Sequence, residues 1–326
     1  MQLHSRTLAV LGAAAIGLAL LTGCGDDDPA TETAATGETV QLRVGVPTTA
    51  NALSAYVAED IGAFAERDIE VEFVPVLSGA EAIPMLMNDQ IDVTLGDGFG
   101  TITAAANGLP LAVFGIATIQ PSDVALDPAI IFVKDESVTA QDLAGQRFAV
   151  SALAGYHELS SKSTIDTLGG DSSAVEYVEL TPATMADAIE GGDVAAALIT
   201  EPYATQAEQR GLYPLAAQAV GTQGVSGTLW VATQQQAAEN ADVLAAFSEA
   251  VEAAGHAVNE DRELARRVAA TYMTVELEVI EVMRFPTFTD SVTDFASLDR
   301  LAELALEYDM LDEQPDFDSL IVELTG

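Results

Sequence analysis

The chain has 326 residues, 12 Lys plus Arg against 51 Asp plus Glu, a formal charge of −39 and 49% hydrophobic residues. A surface of that sign repels polyanions and excludes nucleic acid as a partner, because affinity for phosphate chains comes from Lys and Arg neutralising them; the apolar share excludes a disordered chain. A lone cysteine excludes an internal disulfide and any Cys-based zinc or iron–sulfur centre.

Lys134 and Lys162 are the only lysines. Such an acidic, lysine-poor surface suits concentrated salt, where screening removes self-repulsion. At roughly 150 residues per domain, the length predicts about two lobes.

The first element is an address. Arg6 precedes an apolar run over residues 8–21, too short to cross ~30 Å of hydrocarbon as a resident helix, and it reads as an export signal over residues 1–23. The run ends in Leu21-Thr22-Gly23-Cys24, which resembles the bacterial lipobox and implies that Cys24 is lipidated and becomes the new N-terminus. The expected location is therefore the outer face of the bacterial cytoplasmic membrane, with the lipid as the only membrane contact. Residues 24–39, which include Asp26-Asp27-Asp28, lack apolar periodicity and read as a solvated tether reaching ~20 Å or somewhat more.

From Val40 onward short apolar runs alternate with amphipathic stretches. Strands are predicted at 40–46, 71–76, 91–95 and 111–117, with helices starting at Asn51 or Ser54 and spanning 79–88 and 98–107. Asn107-Gly108 stops the third helix. This βαβα order predicts an α/β fold with a parallel sheet flanked by helices. After a strand at 130–133 the same grammar resumes: strands at 147–150, 174–180, 194–199 and 212–215 alternate with helices at 156–168, 182–190 and 201–210. The expected division is a first lobe over 40–133 and 223–326, including C-terminal helices, and a second lobe over 134–222. In the tail, Val243, Leu244, Phe247, Val251, Ala254 and Val258 form one apolar stripe at helical spacing. Phe295, Leu298, Leu301, Ala302, Ala305 and Tyr308 form another. Gly221, Gly224 and Gly227, beside an apolar run containing Trp230, fit either a hinge that absorbs φ/ψ change or an ordinary surface turn.

Three stretches carry a family resemblance. The first is Ala58-Glu59-Asp60-Ile61-Gly62-Ala63-Phe64 followed by Asp68-Ile69-Glu70-Val71-Glu72; the second is Gly79-Ala80-Glu81-Ala82-Ile83 followed by Ile91-Asp92-Val93-Thr94-Leu95-Gly96; the third is Asp193-Val194-Ala195-Ala196-Ala197-Leu198-Ile199 with Glu201-Pro202-Tyr203. In order and spacing they resemble the nitrate/sulfonate/taurine and thiamine-precursor (SsuA/THI5-like) group of substrate-binding proteins that serve ABC importers. Asp193 stands one place earlier than the family's usual order, and Arg67-Asp68 replaces its small linker. The resemblance implies a type II periplasmic-binding-protein-like fold with two crossover strands as hinge, a small organic molecule or anion held between the lobes, a permease and its ATPase as partners, no cofactor, no metal and no catalysis.

Ligands of open α/β sheets sit beyond the carboxyl ends of the strands, which nominates Thr48, Asn51, Ser78, Gly79, Asp97, Gly98, Phe99, Ser151, Tyr156, His157, Glu201 and Trp230. Free N–H groups at a helix start can hold an anion without a side-chain cation. None of these turns contains Arg or Lys. A strongly bound dianion would rely on backbone and hydroxyl donors alone, and a monoanion or neutral heterocycle is easier to accommodate. Asp97 and Glu201 would accept from an amine or pyrimidine N–H if they point inward, or else cap the helices that follow them. Tyr156, Phe99 and Trp230 would stack on a flat ring or close the core.

Rival chemistries fit the letters less well. Gly96-x-Gly98-x-Gly100 opens a helix after a strand, but a dinucleotide fingerprint needs its third glycine where Thr101 stands. His157 and His256 are too few for a His-rich metal site, and no G-x-S-x-G nucleophile motif occurs. The yeast-type thiamine-pyrimidine synthases carry a cysteine-rich motif and a cofactor-binding lysine, both missing here. A binding lipoprotein feeding a membrane sensor shares every feature of the importer reading.

Overall fold

The computed structural model describes residues 39–322 apart from Ser78, together with Leu324. The export signal, Cys24 and the tether lie outside the described residues.

Two mixed sheets organise the chain. The six-stranded sheet has the order β11-β4-β10-β3-β1-β2, built from β1 (Val40–Val46), β2 (Ile69–Pro75), β3 (Val93–Asp97), β4 (Leu111–Ile119), β10 (Ser226–Thr233) and β11 (Thr287–Phe288). The five-stranded sheet has the order β7-β6-β8-β5-β9, from β5 (Ala129–Val133), β6 (Arg147–Val150), β7 (Glu176–Glu179), β8 (Ala196–Thr200) and β9 (Tyr213–Ala217).

Parallel pairing holds where a helix links the strands: β1 pairs with β2 and β3, and β6 with β7 and β8. These links include α1 (Leu53–Asp60), α2 (Gly79–Met87), α4 (Tyr156–Thr167) and α5 (Pro182–Gly191). Strand β10 runs antiparallel to β3 and β4, and β5 antiparallel to β8 and β9. The reason is geometric. A strand that enters a sheet from the end facing the other lobe must run against the strands that finish at that end.

The lobe boundary differs from the expected one. Strand β5, assigned from sequence to the end of the first lobe, lies between β8 and β9 in the second sheet, so the first crossing occupies residues 120–128. The return crossing occupies residues 218–225. The two are tied where they meet: Gln120 N–H donates to Val225 O at 2.9 Å, and Gly224 N–H to Gln120 O at 3.1 Å. Buried Asp127, in the first crossing, accepts from Ala219 N–H in the second and from Ala129 N–H.

Each sheet buries both faces, and β4 and β5 are hydrophobic almost throughout for that reason. On one face of the larger sheet pack α1, α8 (Ala241–Glu260) and α9 (Arg262–Tyr272), with Leu244, Phe247, Val251, Ala254 and Val258 of the α8 stripe buried. On the other pack α2, α3 (Gly98–Ala106) and α11 (Ala296–Glu307), the last through Leu298, Leu301 and Ala305. Tyr156 and Leu159 of α4 belong to this same cluster, so the lobes share part of a core. Among the described residues no helix is long and apolar enough to cross a membrane.

Trp230 is fully buried in β10, edge-on to Phe247 with ring centroids 5.0 Å apart; Phe247 also stacks on Phe64 at 5.1 Å. The indole therefore closes the core. Trp230→Ala should lower unfolding stability by about 3–5 kcal/mol, read from the urea midpoint; a loss below about 1 kcal/mol would contradict this packing.

Candidate ligand-binding cleft

Between the lobes lies a cavity of about 550 Å³, within the size range of small-molecule sites. The first lobe contributes the ends of β1, β2 and β3; the second contributes the loop between β6 and α4, the end of β7 and Thr200 at the end of β8; the crossings supply Gln120, Pro121, Pro128 and Gln218. These are carboxyl ends of strands, as the topology requires.

Of the residues nominated from sequence, Asn51, Asp97, Ser151, Tyr156 and His157 line the cavity. Thr48 is exposed and its neighbour Thr49 lines the cavity instead, held by Tyr272, whose hydroxyl donates to Thr49 O at 3.1 Å while its ring stacks on Tyr56 at 3.8 Å. Gly79 opens α2, and Ser78 lies outside the described residues. Gly98 is packed against β10: a Cβ there would sit 3.2 Å from Ser226 O. Phe99 points into the core shared by α2, α3 and α11. Trp230 is in the opposite core.

Glu201 also moves from ligand to framework. It is 1% exposed and accepts from Thr205 N–H and Oγ1 at 3.0 Å each and from Arg284 Nη1 at 3.1 Å. Arg284, which follows α10 (Leu277–Val282), also donates to Glu208 at 2.6 Å. Glu201 and Glu208 bracket α6 (Tyr203–Gln209) in the second lobe, so this ion pair fastens the C-terminal helices to it. Burial raises the Glu201 carboxyl, opposed by these donors.

Asp97 is the centre of the cleft. It is the N-cap of α3, and its Oδ1 accepts from Gly100 N–H at 2.6 Å. The same oxygen accepts from Tyr156 N–H at 3.3 Å, at the first residue of α4. The N-cap of that helix, Gly155, offers no side-chain cap, so a carboxylate of one lobe serves the helix of the other. Burial pushes Asp97 up to about 6, against the backbone N–H groups of Gly100, Tyr156 and Phe99.

The facing loop is shaped for contact. Ala154 adopts φ +52°, a left-handed conformation uncommon outside glycine and concentrated at functional sites, with its N–H on Glu158 at 2.8 Å. His157 Nδ1 hydrogen-bonds Ser151 Oγ, and burial lowers the imidazole to about 4, which keeps it neutral at pH 7. Tyr156 is 2% exposed; its hydroxyl and the Gln120 carboxamide oxygen are both buried without a hydrogen-bond partner among the described residues.

Gln120, Gln218, Glu179 and Thr228 are cleft residues that sequence reading missed. Glu179 had a signal, since it ends a parallel strand. The glutamines and Thr228 had none, because the crossings reveal themselves only once both sheets are assembled.

The NMT1/THI5-like family matches residues 49–265. The chain belongs to that family. Among curated protein sequences none matches it. The ligand-binding component of an ABC-type import system from Staphylococcus aureus is similar in structure, at 13% identity and TM-score 0.75 over 86% of this chain and 96% of its own. So are the periplasmic aliphatic sulphonate-binding protein SsuA of Escherichia coli (21%, TM-score 0.71, 89% and 94%) and the periplasmic nitrate-binding protein NrtA of Synechocystis (13%, TM-score 0.73, 87% and 86%). This member of the NMT1/THI5-like family thus has the periplasmic binding protein fold.

An acid whose folded value is raised contributes stability below its unfolded value, near 4, and loses it as pH rises through about 6. Asp97→Asn keeps a capping oxygen and removes the charge. It should therefore raise the melting temperature at pH 8, by the equivalent of about 1–3 kcal/mol, with the difference from wild type shrinking towards pH 4. A variant less stable than wild type at pH 8 would show that the charged carboxylate stabilises the ligand-free fold.

Proposed function

We propose that this protein is the extracytoplasmic solute-binding component of an ABC importer, moored by a lipid on Cys24, which encloses a small organic molecule between its lobes and delivers it to a permease without chemical change. The cavity lined by both lobes and both crossings carries this reading: a ligand there touches everything that moves when the lobes rotate. Only a ligand with different affinities for the open and shut arrangements shifts their populations, and contacts from both lobes supply that difference. Family membership and the fold shared with SsuA and NrtA support the same reading.

The cavity's chemistry suits holding, not transforming. Its polar groups are the Asp97 carboxylate, already hydrogen-bonded to backbone amides, the Glu179 carboxylate, a neutral imidazole engaged by a serine, and neutral amides and hydroxyls.

Full-length protein titrated with sulfonates, nitrate, taurine, pyrimidine precursors and organic amines should melt several degrees higher with one chemical class only, since ligand at 100 times Kd adds about 2.7 kcal/mol, and X-ray scattering should show compaction with the same class. A Tm that no compound moves would remove the solute-binding reading.

The anchor has its own check. Cys24→Ser should shift the protein from the membrane fraction to the soluble exported fraction, and intact mass of the wild type should show a chain beginning at an acylated Cys24. An unacylated wild-type chain would overturn the anchor and leave the cleft untouched.

A further inference from the structure

We infer that the cleft is built for an organic cation with N–H donors, an ammonium or amidinium-like head seated on Asp97, and that it rejects anions. The inference rests on the solute-binding reading and specifies its ligand.

Charge on the lining is one-sided. Asp97 and Glu179 are its carboxylates, His157 is neutral at physiological pH, and no Lys or Arg lines the cavity among the described residues. The nearby cations are already engaged: Arg284 by Glu201 and Glu208, Lys162 by Glu158 at 2.6 Å.

Two of the places where an anion would otherwise bind are filled. A helix N-terminus attracts negative charge through its free N–H groups, and α3 and α4 both begin at the cleft. Asp97 Oδ1 occupies both termini, taking Gly100 N–H and Tyr156 N–H. At these two helix starts a ligand sulfonate or nitrate would meet a fixed carboxylate where it needs donors.

The unfilled capacity is for accepting hydrogen bonds. Asp97 takes Gly100 N–H and Tyr156 N–H on Oδ1, and a carboxylate with two oxygens retains further accepting capacity. Gln120 Oε1 is a second acceptor on the lining, buried with no partner within hydrogen-bond distance among the described residues and close to the Tyr156 hydroxyl. Buried polar atoms in native proteins are nearly always satisfied; a bound N–H donor would satisfy Gln120 Oε1 and use the remaining capacity of Asp97. Val76, Leu77, Ile83, Leu95 and Ile119 supply apolar wall for the body of the molecule.

The test uses full-length protein and probes matched in size but opposite in charge. Benzamidine, tyramine and putrescine form the cationic set; benzenesulfonate, ethanesulfonate and nitrate form the anionic one. At least one cation is expected to raise the melting temperature by several degrees with no anion doing so, and calorimetric affinity for that cation should fall at least tenfold in both Asp97→Asn and Asp97→Ser. Two variants guard against a local folding defect, and each must retain the wild-type circular dichroism spectrum. An anion that stabilises while every cation is silent overturns the inference and leaves the solute-binding reading standing. Cation binding that survives both substitutions overturns the role of Asp97. Silence from both sets overturns the inference together with the reading beneath it.

Discussion

One carboxylate oxygen joins the two lobes. Asp97 Oδ1 accepts from the start of α3 in its own lobe and from the start of α4 in the other, so two helices whose positive ends face the cleft are held to a common point. The arrangement replaces two separate caps with one shared group. It costs the folded chain a partly desolvated negative charge, visible in the raised Asp97 carboxyl. That charge also sets the sign of what can enter. With an effective dielectric of about 20, two unit charges 4 Å apart interact by about 4 kcal/mol, roughly a thousandfold in affinity against an anion and in favour of a cation.

Around that point the lobes are constrained unequally. Asp127 and the Gln120–Val225 and Gly224–Gln120 bonds knot the crossings together, which localises bending to residues 120–128 and 218–225. Arg284 fastens the C-terminal helices to Glu201 and Glu208 on the second lobe. Because Glu201 is almost wholly buried, its pairing restores what desolvation removed and adds little net stability; the contribution is positional. Tyr156 and Leu159 reach from the second lobe into a core built mainly by the first. These side chains therefore tie the second lobe to the first through shared apolar packing as well as through Asp97.

Local periodicity carried most of the fold. Strands β1 and β6 have the bounds that alternation and β-branched residues predict, and α3 and α4 start where glycine-rich turns meet amphipathic runs. Strand 129–133 was misassigned because its lobe is decided by pairing with residues 196–200 and 213–217, a long-range fact. Phe99 and Trp230 lie in the core and not on the cavity lining for a related reason: both sit in sheets or helices buried on all sides, where neighbouring positions are equally apolar and no polarity marks which face a ring takes. That Asp97, Tyr156 and His157 line the cavity was legible because they follow strands and open helices, and the chemistry of helix starts is local.

The overall charge and the cleft charge act at different ranges. A net charge of −39 steers cations towards the protein, but exposed charges separated by more than ~10 Å are largely screened at 0.1 M salt and by ~3 Å at 1 M. In concentrated salt the surface therefore influences neither encounter nor selectivity. Asp97 escapes that screening because its neighbours are backbone amides and apolar walls, not bulk solvent. Discrimination between ligands of opposite sign thus belongs to a single partly buried group rather than to the acidic surface, and it persists in salt that abolishes steering.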